Sequence, residues 1–159
     1  MNDFRASMIK VGKYKILPEA KLIIEYYSGK IDMDDIIHMQ KVLSENSLFD
    51  STFNRALDFR DATLMIDTDD FKRYLEFLKG FPKIFGKRNA AYLTNTPNDV
   101  VVTTLFDLIV QQSDVPINIG IYSTLKGILK WFNITDMDSN TLESIINDLK
   151  TQPNNVFSE

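Results

Sequence analysis

The sequence predicts an α/β protein with a mixed, mostly parallel sheet that opens with a β-hairpin. Two patterns predict this fold class. β-rich and helical segments alternate along most of the 159 residues, which favours right-handed crossovers between parallel strands. In addition, the β-rich runs 13–17 and 21–27 are joined only by a short turn at Pro18 and Glu19, which predicts an antiparallel hairpin at one edge of the sheet.

The remaining elements follow from apolar spacing and from cap and turn residues. Further strands are expected at 53–59, 89–93 and 117–122, and the first of these is expected to break into a charged turn. The predicted helices run from Asp32 to about 46, from about Asp69 to Gly80, over 100–112, from Ser123 or Thr124 to about 132, and over 140–150. Their apolar positions include Val101, Leu105, Leu108 and Ile109 in the third helix, and Asn140 with Glu143 is expected to form a capping box at the last.

Length and composition are typical of one soluble domain spanning 1–159, with a core at 13–134, a C-terminal helix at 140–150 and a mobile tail at 151–159. The chain has no cysteine and one histidine, so neither a thiolate metal site nor any other metal site is expected, and no cofactor is predicted. The net charge of -4 argues against nucleic-acid binding. No apolar run is long enough for a signal peptide or a membrane span, which predicts a cytoplasmic location.

Three features of the chain resemble the SpoIIAA-like fold of STAS domains (sulfate transporter and anti-sigma factor antagonist) and of small bacterial STAS-like proteins. They are the opening hairpin, the strand segment 56–61 (ALDFRD) and the segment 121–129 (IYSTLKGIL), in which a strand runs straight into a helix. The resemblance covers 13–134. It implies a non-enzymatic regulatory or protein-interaction domain.

The resemblance also implies a phosphorylation site. STAS antagonists keep an acidic residue at the end of the strand before the second helix, followed by an Asp-Ser-Ser-Gly-like segment whose serine is phosphorylated by a partner kinase. Asp58 matches the acidic residue and Thr68 lies near the phosphoserine position. The segment departs from the pattern because Asp69 and Asp70 replace its end and would repel phosphate. From the residues alone, Thr68 is interpreted as a helix N-cap.

A parallel sheet would bring several polar residues to its carboxyl edge, which is where ligands bind in open α/β sheets. The candidate ligand-binding or partner-binding residues are Asp58, Arg60, Asp61, Thr94, Asn95, Thr96, Ser123 and Thr124. Asp58 and Asp61 suggest an acid–base pair whose charge is set by Arg60. A turn with a local ion pair is the structural alternative, and no catalytic residue is assigned.

The second predicted helix carries more aromatic rings than one buried stripe requires. Phe77 and Phe81 are therefore candidates for an interface, either for a homodimer or for a lid over an apolar ligand. A thicker core is the structural alternative.

Three functions are compatible with the sequence. The first is an interaction domain that binds a protein partner, or a second copy, through the carboxyl edge and the second helix. The second is a carrier of a small apolar molecule or lipid, which an enclosed cavity of a few hundred cubic ångströms would favour. The third is an enzyme with its site at the carboxyl edge, although no nucleophile–base pair is visible.

Overall fold

The computed structural model describes residues 9–157, and residues 1–8, 158 and 159 lie outside the description. The strands are β1 (Val11–Leu17), β2 (Leu22–Ile31), β3 (Asn54–Leu64), β4 (Arg88–Leu93) and β5 (Ile117–Tyr122). The α-helices are α1 (Met33–Ser44), α2 (Thr68–Lys79), α3 (Pro97–Gln111), α4 (Leu125–Trp131) and α5 (Ser139–Thr151). Short 3₁₀ turns occupy Pro18–Ala20 and Pro82–Ile84.

The five strands of the described chain form one sheet in the order β1-β2-β3-β4-β5. β1 and β2 pair antiparallel, and the other neighbours pair parallel. The hairpin turn closes through Lys21, which adopts a left-handed conformation with φ 49°. The predicted fold class, a hairpin followed by parallel strands with helical crossovers, is confirmed.

Helices cover both faces of the sheet, and each face has its own apolar core. The larger core packs one face of β2 and β3 against α1, α2 and α3, with Leu57 and Phe59 at its centre. The smaller core packs the opposite face against α4 and α5, and Ala56 belongs to it. The last helix contributes Leu142, Ile146 and Leu149. Strands buried on both faces account for the long apolar runs in the sequence.

The third helix forms as predicted, but it buries a different face. Its core-facing apolar residues are Val102, Phe106 and Val110, whereas Val101, Leu105 and Leu108 are exposed. Both arcs of this helix are apolar, so the period alone could not choose between them. The choice depends on packing, because the Phe106 ring stacks on Phe71 of α2 with centroids 4.9 Å apart.

The ends of several elements differ from the prediction. β2 continues to Ile31 rather than ending at 27, and α3 begins at Pro97 rather than at 100. α5 begins at Ser139, because the side chain of Asp138 accepts a hydrogen bond from the Thr141 amide. The predicted Asn140–Glu143 capping box is therefore wrong. β3 does not break into a turn after Phe59 but continues to Leu64, since β2 pairs with it along this length.

The segment that follows α5 lies along the free edge of β1. The Val156 amide donates to the Gly12 carbonyl at 2.7 Å, and the Gly12 amide donates to Asn155 Oδ1 at 2.9 Å. The Lys13 ammonium donates to the carbonyls of Lys150 and Gln152. The mobility expected for 151–159 stays a prediction, and its last two residues lie outside the description.

Candidate functional site

The sheet aligns three of its strands at the carboxyl edge, as the sequence predicted. Asp58 of β3 is level with Leu93 of β4, and Leu93 is level with Tyr122 of β5. The Thr94 amide then donates to the Tyr122 carbonyl at 3.0 Å. The segments that carry Asp58, the 94–96 loop and the 123–124 loop are thus brought to one edge.

A β-bulge in β3 determines where the charged residues of this edge point. Tyr26 of β2 pairs with Asp58, whereas Ser28 pairs with Asp61, so β3 contains one extra residue in this interval. Arg60 and Asp61 therefore lie within the strand rather than in the predicted turn. Both side chains contact α5, Arg60 through Glu143 and Asp61 through Lys150.

Asp58 and Arg60 form an ion pair that continues to α5. Asp58 is buried, and its two oxygens accept from Arg60 Nε at 3.0 Å and Nη2 at 2.8 Å. The same guanidinium donates to both carboxylate oxygens of Glu143, at 3.1 and 2.7 Å. The hydrogen bonds that Arg60 donates to Asp58 and then to Glu143 raise the pKa of Arg60 above its ordinary value. The bond from Arg60 lowers the pKa of Glu143.

Asp61 makes a second contact between β3 and α5. Its Oδ2 accepts from the Tyr26 hydroxyl at 2.6 Å and lies 3.4 Å from Lys150 Nζ. Partial burial opposes ionisation of Asp61, but the Tyr26 hydrogen bond and the Lys150 charge outweigh it and lower its pKa. Burial and then the Asp61 carboxylate raise the pKa of Tyr26. The residues Asp58, Arg60, Asp61, Glu143 and Lys150 are called the α5-facing ion pairs below.

The α5-facing ion pairs support a structural role for Asp58 and Asp61. A general base needs a free lone pair directed at a substrate proton, whereas Asp58 is only 2% exposed and is held by Arg60 on both oxygens. Tyr26 and Lys150 contact Asp61, and Glu143 contacts Arg60, but none of these three partners was predicted from the sequence as a site residue. No local signal indicates them, because Glu143 lies 83 residues from Arg60.

The threonines of the carboxyl edge cap helices. Thr96 Oγ1 accepts from the Asp99 amide at the start of α3, and Thr124 Oγ1 accepts from the Gly127 amide at the start of α4, both at 3.2 Å. Thr94 is buried, whereas Asn95 and Ser123 are exposed. Thr96 and Thr124 thus fix the starts of α3 and α4. The predicted binding role of all these edge residues stays a prediction.

The start of α2 is capped by Asp67 rather than by Thr68. Asp67 and Asp70 form a reciprocal capping box, with side-chain to backbone distances of 2.9 and 3.1 Å. The N-cap interpretation of Thr68 is therefore wrong by one residue. Thr68 is the exposed first residue of the helix, and its phosphorylation stays a prediction.

A second charged group lies inside the protein, between the sheet and helices α1 to α3. Arg55 Nη1 donates to Glu25 Oε2 at 3.2 Å and to Gln40 Oε1 at 2.8 Å. Arg88 Nη1 donates to the carbonyls of Ile84 and Gly86, at 2.8 and 3.2 Å. Glu25, Arg55 and Arg88, with Gln40, are called the buried charge cluster below. The sequence reasoning missed it, although the charge of Glu25, flanked by Ile24 and Tyr26 in a predicted strand, is a usable signal.

Two kinds of apolar surface are present on the helices. Phe77 and Phe81 are half-buried, stack on each other with centroids 5.6 Å apart and pack against the larger core. Four exposed apolar residues lie instead on one side of α3, at spacings of one, five and eight residues from the first. This α3 face consists of Val100, Val101, Leu105 and Leu108, which are 42%, 57%, 40% and 51% exposed.

The remaining predictions from the sequence concern metal sites and membrane-spanning helices. Within 9–157, no group of three or more His, Asp or Glu side chains is arranged to hold a metal ion. The exposed His38 side chain lies on α1, with its ring 6.4 Å from that of Phe157. None of the helices in this range combines the length and apolar character needed to cross a bilayer.

Comparison with known proteins identifies the fold. No protein-family model and no curated protein matches the sequence. The structure is similar to that of an uncharacterised protein from Shewanella loihica PV-4, a DUF3478 family member described as having a SpoIIAA-like fold. The TM-score is 0.53 at 12% sequence identity, and the match covers 78% of this chain and 95% of the other. The chain therefore has the SpoIIAA-like fold that the sequence predicted.

Proposed function

We propose that the protein is a non-catalytic interaction domain whose contact surface is the α3 face and whose partner is a second copy of the chain. The single observation that supports this is the row of exposed valines and leucines on α3, opposite a face that is already buried. Apolar patches of this kind on a folded domain are typical of interaction surfaces.

The apolar composition of the α3 face, rather than the net charge, favours a second copy as the occupant. The chain carries a net charge of -4, so two copies repel each other over most approaches. The exposed residues around the α3 face include Thr104, and the partly buried Asp107 lies at its border, two helical turns after Val100. Two copies can meet across the apolar residues if the Asp107 side chains stay at the rim of the contact. In a twofold contact each apolar residue meets the apolar residues of the other copy, which makes the face self-complementary.

The carboxyl edge adjoins this surface. Asn95 and Thr96 immediately precede α3, and the Leu64 amide donates to Asp99 Oδ1 at 3.2 Å, which places the exposed Met65 beside the start of the helix. In this proposal the predicted edge residues form a polar rim around the apolar face. The predicted interface at Phe77 and Phe81 of α2 stays a prediction.

The carrier function has less support. An apolar cavity lined by residues such as Phe59, Phe71 and Phe106 has a volume of about 40 Å³, far below that of a ligand pocket. A larger depression, of about 610 Å³, is an open groove lined largely by Lys13–Ile16 of β1 and by 152–156.

Sedimentation velocity over about a hundred-fold range of protein concentration tests the proposal, because a twofold contact is populated by mass action. We expect a dimer that Leu108→Lys weakens at least about tenfold, since the symmetric contact then buries two lysines. Leu48→Lys is the matched control, because Leu48 is 53% exposed but lies after α1. It should leave the dimer unchanged.

Native mass spectrometry of protein purified from its own host separates the alternatives. A wild-type monomer at every concentration would overturn the homodimer. If a different protein co-purifies, is identified and binds again in purified form, with binding lost in Leu108→Lys only, the α3 face is right and the occupant wrong. A retained small-molecule adduct without any α3-dependent partner would favour the carrier instead.

A further inference from the structure

The buried charge cluster contains hydrogen-bond donors that have no partner. Arg55 and Arg88 are only 2% and 6% exposed. Among their buried side-chain nitrogens, Arg55 Nε, Arg55 Nη2 and Arg88 Nε make no hydrogen bond in the described chain. A buried guanidinium N–H without an acceptor is costly, so a group of three such donors indicates a missing ligand or water.

The same cluster has an excess of positive charge. Two guanidinium groups, on Arg55 and Arg88, face a single carboxylate, that of Glu25. The Tyr27 hydroxyl and Gln40 Nε2 both donate to Glu25 Oε1, at 2.6 and 3.0 Å, so this carboxylate is already shared. Burial, and then the positive charge of Arg55, lower the pKa of Arg88 to about 10. Arg88 therefore remains charged at pH 7, and the cluster carries one uncompensated positive charge.

A small cavity lies between these groups. It has a volume of about 20 Å³, and its lining includes Glu25, Gln40, Arg55 and Arg88 together with the rings of Tyr74 and Tyr92. A cavity of this volume holds one particle of about the size of water. A water molecule would satisfy donors but would leave the excess charge, whereas a monatomic anion would satisfy both requirements.

We propose that this cavity is a binding site for a single halide-sized anion, held between the guanidinium groups of Arg55 and Arg88. The anion accepts hydrogen bonds from the unpartnered guanidinium N–H groups and neutralises the cluster. Larger oxyanions such as phosphate are excluded by the volume. The site lies beneath α1, α2 and α3 and is independent of the proposed α3 contact, so failure of one proposal does not affect the other.

Thermal unfolding of the full chain in sodium bromide and in sodium gluconate, at equal ionic strength and pH 7, tests the site. Equal ionic strength removes the difference in charge screening, and gluconate is too large for the cavity. We expect the unfolding midpoint to be roughly 5 °C higher with bromide at about a hundred times its Kd, because the anion binds only the folded state. In crystals grown with bromide, an anomalous scattering peak should lie between Arg55 and Arg88.

Two variants locate the effect. Arg88→Met removes the excess charge, and Ala90→Val fills the cavity from β4 without changing a charge, so each should abolish the bromide shift. Arg60→Met is the matched control on the opposite face of the sheet, and it should retain the full shift. The proposal is overturned if bromide and gluconate give equal midpoints and the cavity density refines as water. A bromide shift that survives in both Arg88→Met and Ala90→Val would overturn it as well.

Discussion

The two charged regions on opposite faces of the sheet differ in how completely their charges are paired. In the α5-facing ion pairs, each carboxylate has a cationic partner, and the side chain of Arg60 is still 24% exposed to solvent. In the buried charge cluster, the single carboxylate is bonded to Arg55 and not to Arg88, and guanidinium donors are left without acceptors. The α5-facing ion pairs therefore have a structural role, because they link β3 to α5. The buried charge cluster has the unpaired donors and the excess charge expected of an anion-binding site.

The difference follows from the position of each charge along its strand. Arg60 and Asp61 lie where β3 extends beyond β4, so water and the polar side of α5 can reach them. Arg55 lies between β2 and β4, level with Ile23 and Ala90, and is covered by helices. A charge in such a place needs a partner of opposite sign within the protein or bound to it.

The largest expected effect is that of removing the only carboxylate of the buried charge cluster. Glu25→Gln keeps one acceptor oxygen, which can serve Tyr27 and Gln40 or Arg55 but not both sides, and it leaves two buried guanidinium charges without a counter-charge. We expect the free energy of unfolding in urea to fall by about 3 kcal/mol. A loss below about 1 kcal/mol would show that the excess positive charge is already compensated without Glu25.

Bromide sharpens this prediction. If the cavity binds an anion, the Glu25→Gln variant has a greater positive charge around the site and should bind the anion more tightly. Part of the lost stability should therefore return when sodium gluconate is replaced by sodium bromide at equal ionic strength. Glu143→Gln on the other face is the matched control, and its stability should not depend on which of the two anions is present.

The second effect is that of removing the cation of the α5-facing ion pairs. Arg60→Met removes the two side-chain hydrogen bonds that Arg60 donates to the buried Asp58 carboxylate, and only the bond from the backbone amide of residue 60 remains. Because water can reach this site in part, we expect a loss of about 2 kcal/mol in the free energy of unfolding. Lys150→Met, in the more exposed pair with Asp61, should cost at most about 1 kcal/mol. Equal losses of stability in the two variants would contradict the expectation that Arg60, which holds a buried carboxylate, contributes more than Lys150.

The comparison also shows which parts of the site are accessible to sequence reasoning. Asp58, Arg60 and Asp61 could be singled out because they follow a run of buried strand residues, and the parallel topology places that strand end at the carboxyl edge. Their contacts could not be predicted. Two features depend on tertiary packing: the bulge that places Asp61 on the same face of the sheet as Arg60, and the long-range contact of Arg60 with Glu143.

The buried face of α3 and the Glu25–Arg55 ion pair could not be predicted from local sequence patterns. The sequence of α3 is apolar on two arcs, and packing of Phe106 on Phe71 selects the buried one. Glu25 and Arg55 lie in segments assigned to strands by their apolar neighbours, and their pairing across β2 and β3 is a property of the sheet register. The order of elements, by contrast, follows from local periodicity, and this is why the fold could be predicted.

The smallest expected effect is the pH dependence of the α5-facing ion pairs. The pKa of Glu143 is lowered in the folded state from its ordinary value of 4.5, chiefly by the hydrogen bond from Arg60. A lowered folded-state pKa contributes stability that is present above the unfolded value and is lost as the pH falls through the folded value. The contribution of Glu143 should therefore be constant near pH 7 and decline below about pH 4.5.

Urea unfolding of wild type and Glu143→Gln between neutral and acid pH measures this contribution. Since Glu143 is 39% exposed and screened by solvent, the difference at pH 7 should be at most about 1 kcal/mol. It should shrink towards zero under acid conditions, where Glu143 becomes protonated in the wild type. Asn140→Ala on the same helix is the control, because an uncharged residue gives a difference that does not follow the titration of Glu143. If the difference in the free energy of unfolding between wild type and Glu143→Gln stayed constant with pH, the ion pair with Arg60 would not be its cause. Packing would then hold α5 against the sheet at this point.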